Sequence, residues 1–169
     1  MKNIKLLVSD VDGVWTDGAF YYNEHGDSMR KFNTKDSYGV SLATIVGLPI
    51  LILSGEDNLF VRKRMEKLGI QDVELGVENK LSALKQYCAS SNISLSEVAY
   101  IGDDMNDLNL VDKVGFFASP CDAYYRIKNL SNLVLTSGGG MGAFREFVEE
   151  VLDGKGLLEN AYHEYNTRK

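Results

Sequence analysis

Asp10 and Asp12 stand one residue apart in Ser9-Asp10-Val11-Asp12-Gly13-Val14, directly behind the apolar run Ile4 to Val8. On an extended segment, side chains two residues apart point the same way. Two carboxylates so placed repel unless a cation lies between them. Magnesium is the natural cation, being hard, oxygen-seeking and often bound by one or two carboxylates plus a phosphate. Three further segments end apolar runs in residue types that phosphoryl transfer needs. Pro49 to Leu53 closes on Ser54-Gly55-Glu56, a hydroxyl that can donate to a phosphate oxygen and a glycine that lets backbone come close. Lys80 stands at the start of an expected helix, and Val98 to Ile101 runs into Gly102-Asp103-Asp104-Met105-Asn106-Asp107. Acids packed that densely are driven to protonate unless a metal joins them. Each piece alone has an ordinary reading: Asp-Gly as a turn, Ser54 as a helix cap, Lys80 as a solvated charge, Asp104 or Asn106 as a cap. Occurring in one order, each at a strand end, they point to one site.

Those strand ends must be brought together. Short aliphatic runs alternating with helix-like segments imply a doubly wound α/β fold with a parallel sheet, in which ligands bind beyond the carboxyl ends of the strands. The pattern predicts strands near 4–10, 49–53, 72–75, 98–102, 114–118 and 132–135, and helices near 36–46, 57–68, 80–91, 107–112, 122–128 and 142–152. Gly47 and Gly69 stand where helix C-caps are expected, and Ser94-Leu95-Ser96-Glu97 has capping-box spacing. Between the first strand and the first helix, Trp15 to Tyr22 and Ser28 to Phe32 read as a β-hairpin, about 14–33, with Gly26 in its loop. Residues 1–153 are expected to form one domain and 154–169 a polar tail that either frays or docks through Tyr162 and Tyr165.

The four segments resemble the motifs of the haloacid dehalogenase superfamily of phosphatases: Asp10-Val11-Asp12-Gly13-Val14, Ser54, Lys80, and Gly102 to Asp107. More narrowly, Asp12-Gly13-Val14-Trp15-Thr16-Asp17-Gly18, Lys31 to Ser37, and Gly139-Gly140-Met141-Gly142-Ala143-Phe144-Arg145-Glu146 are similar to the 3-deoxy-ulosonate phosphate phosphatases. The resemblance implies a Mg²⁺-dependent sugar-acid phosphatase without a cap domain. In it Asp10 is the nucleophile that becomes an aspartyl-phosphate, and Asp12 is the general acid and base. Metal would be held by Asp10, Asp103 and the backbone carbonyl of Asp12, and phosphate by Ser54, Gly55 and Lys80. Asp104 and Asp107 would orient the groups around them. Substrate contacts are expected from Asn33, Thr34, Ser37, Glu56, Arg64, Lys67 and Asn106. The octulosonate phosphatases usually carry arginine where this chain has Glu56, which tilts the reading toward a nine-carbon 9-phosphate over the eight-carbon 8-phosphate. The exposed hairpin aromatics Trp15, Phe20, Tyr21, Tyr22 and Phe32 would seek a partner surface, and the resemblance implies a homotetramer.

A chain of 169 residues that is 44% hydrophobic is ample for one core and short for two. The formal charge of −6, with no basic stripe, argues against a nucleic-acid partner. No segment approaches the ~20 apolar residues of a membrane span, and no signal-peptide pattern precedes the first strand, so a cytoplasmic protein with no membrane partner is expected. Cys88 and Cys121 have no metal-ligand spacing and read as free thiols. Two rivals share some features. A receiver-type phosphoacceptor domain also pairs acids with a hydroxyl, a lysine and Mg²⁺, but accepts phosphate on an aspartate ending a middle strand, where this chain has Ser54 and Gly76. An idle, phosphatase-like oligomerisation module would have no use for both Asp10 and Asp12.

Overall fold

The computed structural model describes residues 1–167, the side chain of Asp27 excepted. Its strands are β1 (Leu6–Ser9), β2 (Tyr21–Asn23), β3 (Gly26–Met29), β4 (Ile50–Leu53), β5 (Asp72–Glu74), β6 (Val98–Ile101), β7 (Phe116–Ser119) and β8 (Leu133–Val134). The helices are α1 (Lys35–Ile45), α2 (Leu59–Leu68), α3 (Lys80–Ser90), α4 (Tyr125–Leu130), α5 (Ala143–Lys155) and α6 (Leu158–Thr167), with 3₁₀ turns at Leu95–Glu97 and Met105–Leu110. Six strands form one parallel sheet in the order β5-β4-β1-β6-β7-β8. The doubly wound α/β expectation is met.

Both faces of this sheet are covered, which is why its strands read as unbroken aliphatic runs. The period of two survives inside those runs. Leu7, Ile52, Ala99, Ile101, Phe116 and Ala118 enter the core shared with α1, α2, α5 and α6. Leu6, Val8, Leu51, Leu53, Val98, Tyr100 and Phe117 enter the opposite core with α3 and α4. Helix ends follow local chemistry. Asn58 Oδ1 accepts from Val61 N at 3.0 Å to start α2, and Gly69 closes it with φ +76°. Ser94 and Glu97 form the expected capping box.

β1 is central, and its register places Ser9 level with Ile52 of β4 and Ile101 of β6. The chain winds outward from β1 through β4 to β5 and then crosses to β6 on β1's other side. The first strand therefore borders the crevice where winding reverses, the usual ligand position in such sheets. Asp10, Ser54 and Asp103 follow these three strands at that end.

Several expectations need correction. The helix expected at 107–112 is the 3₁₀ segment Met105–Leu110, started by Asp104, whose side chain accepts from Met105 N. The helix expected at 122–128 lies at Tyr125–Leu130, and α5 continues past 152 to Lys155. The hairpin is shorter than expected, because Trp15 is not part of it: the indole is fully buried and stacks on Phe144 with ring centroids 4.1 Å apart. Phe32 likewise packs against the core. The tail after 153 takes the second of its two expected courses: it includes helix α6 and docks, as Tyr162 and Tyr165 reach Tyr38 and Ala161 is buried. Only the hairpin and its flanks separate β1 from α1, and no cap domain is evident among the described residues. No helix among them is long and apolar enough to cross a membrane.

Candidate active site

Asp10 leaves β1 with its backbone N–H donating to Ile101 O at 3.0 Å, which ties the residue to β6. Its Oδ1 accepts from Val11 N at 2.7 Å and its Oδ2 lies 2.9 Å from Lys80 Nζ. Beneath it runs a polar chain that sequence reasoning missed: Trp15 Nε1 donates to Ser9 Oγ at 3.0 Å, and Ser9 Oγ donates to the Asp10 carbonyl at 2.6 Å. The indole thus fixes the backbone of Asp10 as well as filling the core.

Asp107 is the most heavily bonded acid. Its Oδ1 accepts from Lys80 Nζ at 2.7 Å and from Tyr100 Oη at 2.6 Å, and its Oδ2 accepts from Asp103 N at 3.0 Å. Burial and the carboxylates of Asp107 and Asp10 hold the Tyr100 hydroxyl well above its usual range, so it stays a donor. Lys80 is buried, which opposes its charge, yet Asp10 and Asp107 keep it above the usual lysine value. Burial and the Asp107 charge push Asp10 up to about 7, with Lys80 pulling the other way. Burial, Asp10 and Asp107 push Asp103 up to about 8.

One ammonium thus faces three acids whose oxygens lie within 4.8 Å of one another, those of Asp10, Asp103 and Asp107. This donor set suits a hard divalent cation: it is all oxygen, and burial and mutual repulsion raise the Asp10 and Asp103 carboxyls to values that a cation between them would relieve. The cluster contains Asp107 and not the Asp12 carboxylate, whereas the sequence reading named Asp10, Asp12 (through its carbonyl) and Asp103. Asp107 accepts from Lys80, Tyr100 and Asp103 N, and Asp10 has Val11 N and Lys80 on its two oxygens, so Asp103 is the least committed of the three.

Asp12 is held differently. Its Oδ1 accepts from Thr16 Oγ1 at 3.0 Å and lies 3.3 Å from Arg30 Nε. Its Oδ2 is buried with no hydrogen-bond partner. Asp10, Asp12, Ser54, Gly55, Glu56, Asp103, Asp104 and Asn106 line a pocket of about 450 Å³, together with Gly18, Phe20 and Met105. Ser54 is buried and its Oγ accepts from Glu56 N at 3.3 Å. Lys80 lies beneath this pocket, against Asp10.

The remaining expected substrate contacts gather elsewhere. Arg64 Nη2 donates to Asn33 O at 3.1 Å and to Ser37 Oγ at 2.9 Å, while Asn33 Nδ2 donates to Gly140 O at 3.0 Å. Thr34 is the exposed residue before α1, and Lys67 is exposed in the last turn of α2. None of these five lines the pocket around Asp10 within the same chain. Thr16, Arg30 and Tyr100 were missed as site neighbours. Only an Arg in the hairpin and a Tyr inside a buried strand hinted at the last two, because a buried polar group needs a partner.

The comparisons with known proteins agree with this geometry. The sequence pattern of a family described as haloacid dehalogenase-like hydrolase matches residues 61–139. The chain is 34% identical over 156 residues to the 3-deoxy-D-manno-octulosonate 8-phosphate phosphatase KdsC of Haemophilus influenzae, covering 92% of this chain and 87% of that protein. The chain belongs to this phosphatase family. A solved member from Moraxella catarrhalis, in complex with magnesium ion, phosphate ion and KDO, superposes with a TM-score of 0.92 at 33% identity, covering 97% of this chain and 94% of that one. The Yersinia pestis member gives a TM-score of 0.89 at 32% identity, covering 94% and 85%. As a member of the family the protein is a phosphoric monoester hydrolase, and the capless fold found here is the family's.

Proposed function

We propose that this chain is a Mg²⁺-dependent phosphatase that hydrolyses a 3-deoxy-ulosonate phosphate through an aspartyl-phosphate on Asp10. One observation carries the reading: Asp10, pinned by Lys80 and by its own backbone, faces a pocket that also holds Ser54, Gly55, Asp103 and a second carboxylate with an uncommitted oxygen. Asp10 attacks phosphorus in line. Asp12 protonates the departing sugar oxygen through Oδ2, and in the second step takes a proton from the attacking water. Ser54 Oγ, the Gly55 amide and the charge of Lys80 take up the equatorial oxygens, the main task in phosphoryl transfer. A Cβ on Gly55 would meet only Val77 O, at 3.9 Å, so the protein's own packing does not demand glycine there, and an approaching phosphate does. Asp10, Asp103 and the Asp12 carbonyl would hold the Mg²⁺. Bound there, it neutralises phosphate charge and keeps Asp10 ionised. Asp107 and Asp104 orient Lys80 and the Asp103 loop.

The relatives' names point to the eight-carbon 3-deoxy-D-manno-octulosonate 8-phosphate. Glu56, which lines the pocket, favours a second reading, a nine-carbon 9-phosphate whose hydroxyls donate to its carboxylate. In a phosphate-ester panel, one of these two acids should give the highest kcat/KM, with activity lost on chelation. Asp10→Asn should lower kcat by at least about 10³-fold, as loss of a covalent nucleophile does. Parental turnover by Asp10→Asn would overturn the mechanism. Glu56→Arg should shift the preference toward the shorter acid, and an unchanged ratio would remove Glu56 from the argument.

The active form is a homotetramer in this reading, supported by the exposed hairpin residues Phe20, Tyr21, Tyr22 and Met29. The free thiols Cys88 and Cys121 suit a reducing compartment such as the cytoplasm.

A further inference from the structure

We propose that Arg30 is a positioning residue for the proton-transfer step, coupling the β2–β3 ribbon to the carboxylate of Asp12. The inference rests on the phosphatase reading of Asp12 but not on which sugar acid is cleaved. Arg30 follows β3 directly, on a two-stranded ribbon whose other side chains largely face solvent, yet only 1% of its side chain is exposed. Lys31, its neighbour, shows the usual behaviour of a ribbon cation, 55% exposed and 3.3 Å from Asp17. A guanidinium withdrawn from water is costly unless it meets a carboxylate or an aromatic face. Arg30 has both. Its Nε lies 3.3 Å from Asp12 Oδ1, and its Cζ sits 3.9 Å over the ring centroid of Phe20. Phe20 itself lines the pocket that holds Asp10 and Asp12.

One hydrogen bond and one ion pair from different elements therefore converge on one oxygen: Thr16 Oγ1 donates to it from the loop after β1, and the Arg30 guanidinium lies 3.3 Å away at Nε, from the ribbon. Together they set the plane of the carboxyl. The other oxygen, Oδ2, is left buried and without a partner. A proton donor to a leaving group must lie within hydrogen-bond reach of it, and a misplacement of about 1 Å can cost about 10²-fold in rate. Arg30 need not touch the substrate to control that distance. Because its guanidinium lies against Phe20, the ribbon's placement is felt at Asp12.

The test compares leaving groups. A sugar alkoxide needs the Asp12 proton to depart, whereas p-nitrophenolate departs without it. Arg30→Met keeps the apolar stem against Phe20 and removes the charged fork. It should lower kcat for an alkyl phosphate by about 10²-fold with KM changed less than about threefold, while single-turnover nitrophenolate release from p-nitrophenyl phosphate falls less than about tenfold. Arg30→Lys, which restores the positive charge, should recover most of the alkyl-phosphate rate. If Arg30→Met does not fold, Arg30→Gln carries the same comparison. Equal losses with both leaving groups would show a merely structural contact, and no loss with either would show an idle one; either result overturns the proposal. Failure of the wild-type enzyme to cleave either sugar-acid phosphate would sink the substrate reading alone, since the Arg30 comparison needs only one alkyl phosphate that is turned over.

Discussion

Gly13 is a glycine because of Asp103. A Cβ there would fall 1.9 Å from Asp103 Oδ2, and its φ of +77° is one that side chains avoid. The turn that sequence reasoning offered as the ordinary meaning of Asp-Gly is real, and it is also what lets two strand-end carboxylates approach. The cost of that approach is a pH-dependent stability. Asp10 and Asp103 ordinarily titrate near 3.8 and are pushed up to about 7 and about 8. The folded chain thus holds protons that the unfolded chain has already released, so stability falls as pH rises from near 3.8 through those two values. Metal-free protein should lose Tm steadily between about pH 5 and about pH 8, and Mg²⁺ should restore more Tm at the upper end than at the lower. Calorimetry across that range decides it: a flat Tm without metal, or equal stabilisation by Mg²⁺ at both ends, would contradict the described electrostatics. The acids, Ser54 and Lys80 were legible because each ends an apolar run or begins a helix. Thr16, Arg30 and Tyr100 were not, since nothing local distinguishes a Tyr inside a strand or an Arg in a hairpin from an ordinary core or surface residue until its partners are placed.

Among the elements, the loop before α5 sits against the loop after β1. A Cβ on Gly139 would come within 2.3 Å of Gly13 O, and one on Gly140 within 2.7 Å of Asp17 N, while Gly140 N donates to Val14 O at 2.9 Å. The Gly139-Gly140 pair, matched in the sequence as a family signature without a stated purpose, is a buttress behind Asp10 and Asp12. Gly139→Ala should cost about 1–3 kcal/mol through overpacking, and should lower kcat beyond what the fraction unfolded explains, because the strain is delivered to the Asp12–Thr16 turn. Denaturant titration alongside steady-state kinetics separates the two effects, and a stability loss with unchanged kcat would refute the buttress. Asp36 does similar work for α5, whose N-cap residue Gly142 offers no side-chain cap: Asp36 Oδ1 accepts from Arg145 N at 3.1 Å. Burial pushes Asp36 up to about 6. Strand positions were readable from runs of aliphatics. The hairpin was misjudged because an aromatic-rich stretch looks alike whether its rings face solvent or, as with Trp15, the core.

For the whole molecule, the ribbon leaves Tyr22 70% exposed and Met29 56% exposed, apolar surface that the proposed tetramer would cover. Light scattering after size exclusion should give four times the chain mass at micromolar concentration, and Tyr22→Asp with Met29→Asp should lower it; a monomeric parent would overturn the tetramer. The contact proposed would lie between chains, and one sequence carries it only as unexplained hydrophobicity. The buttress carries one more consequence, which concerns time. Asn33 and Gly140 are bonded across a separation of 107 residues, and the loop bearing Asp10 leans on backbone synthesised long after it. Contacts that distant in sequence are slow to close and entropically dear until the rest of the chain is in place. A ribosome-bound intermediate ending before Gly139 should already pair its central strands yet remain chemically silent, the loop that carries Asp10 and Asp12 still lacking the backbone it leans on.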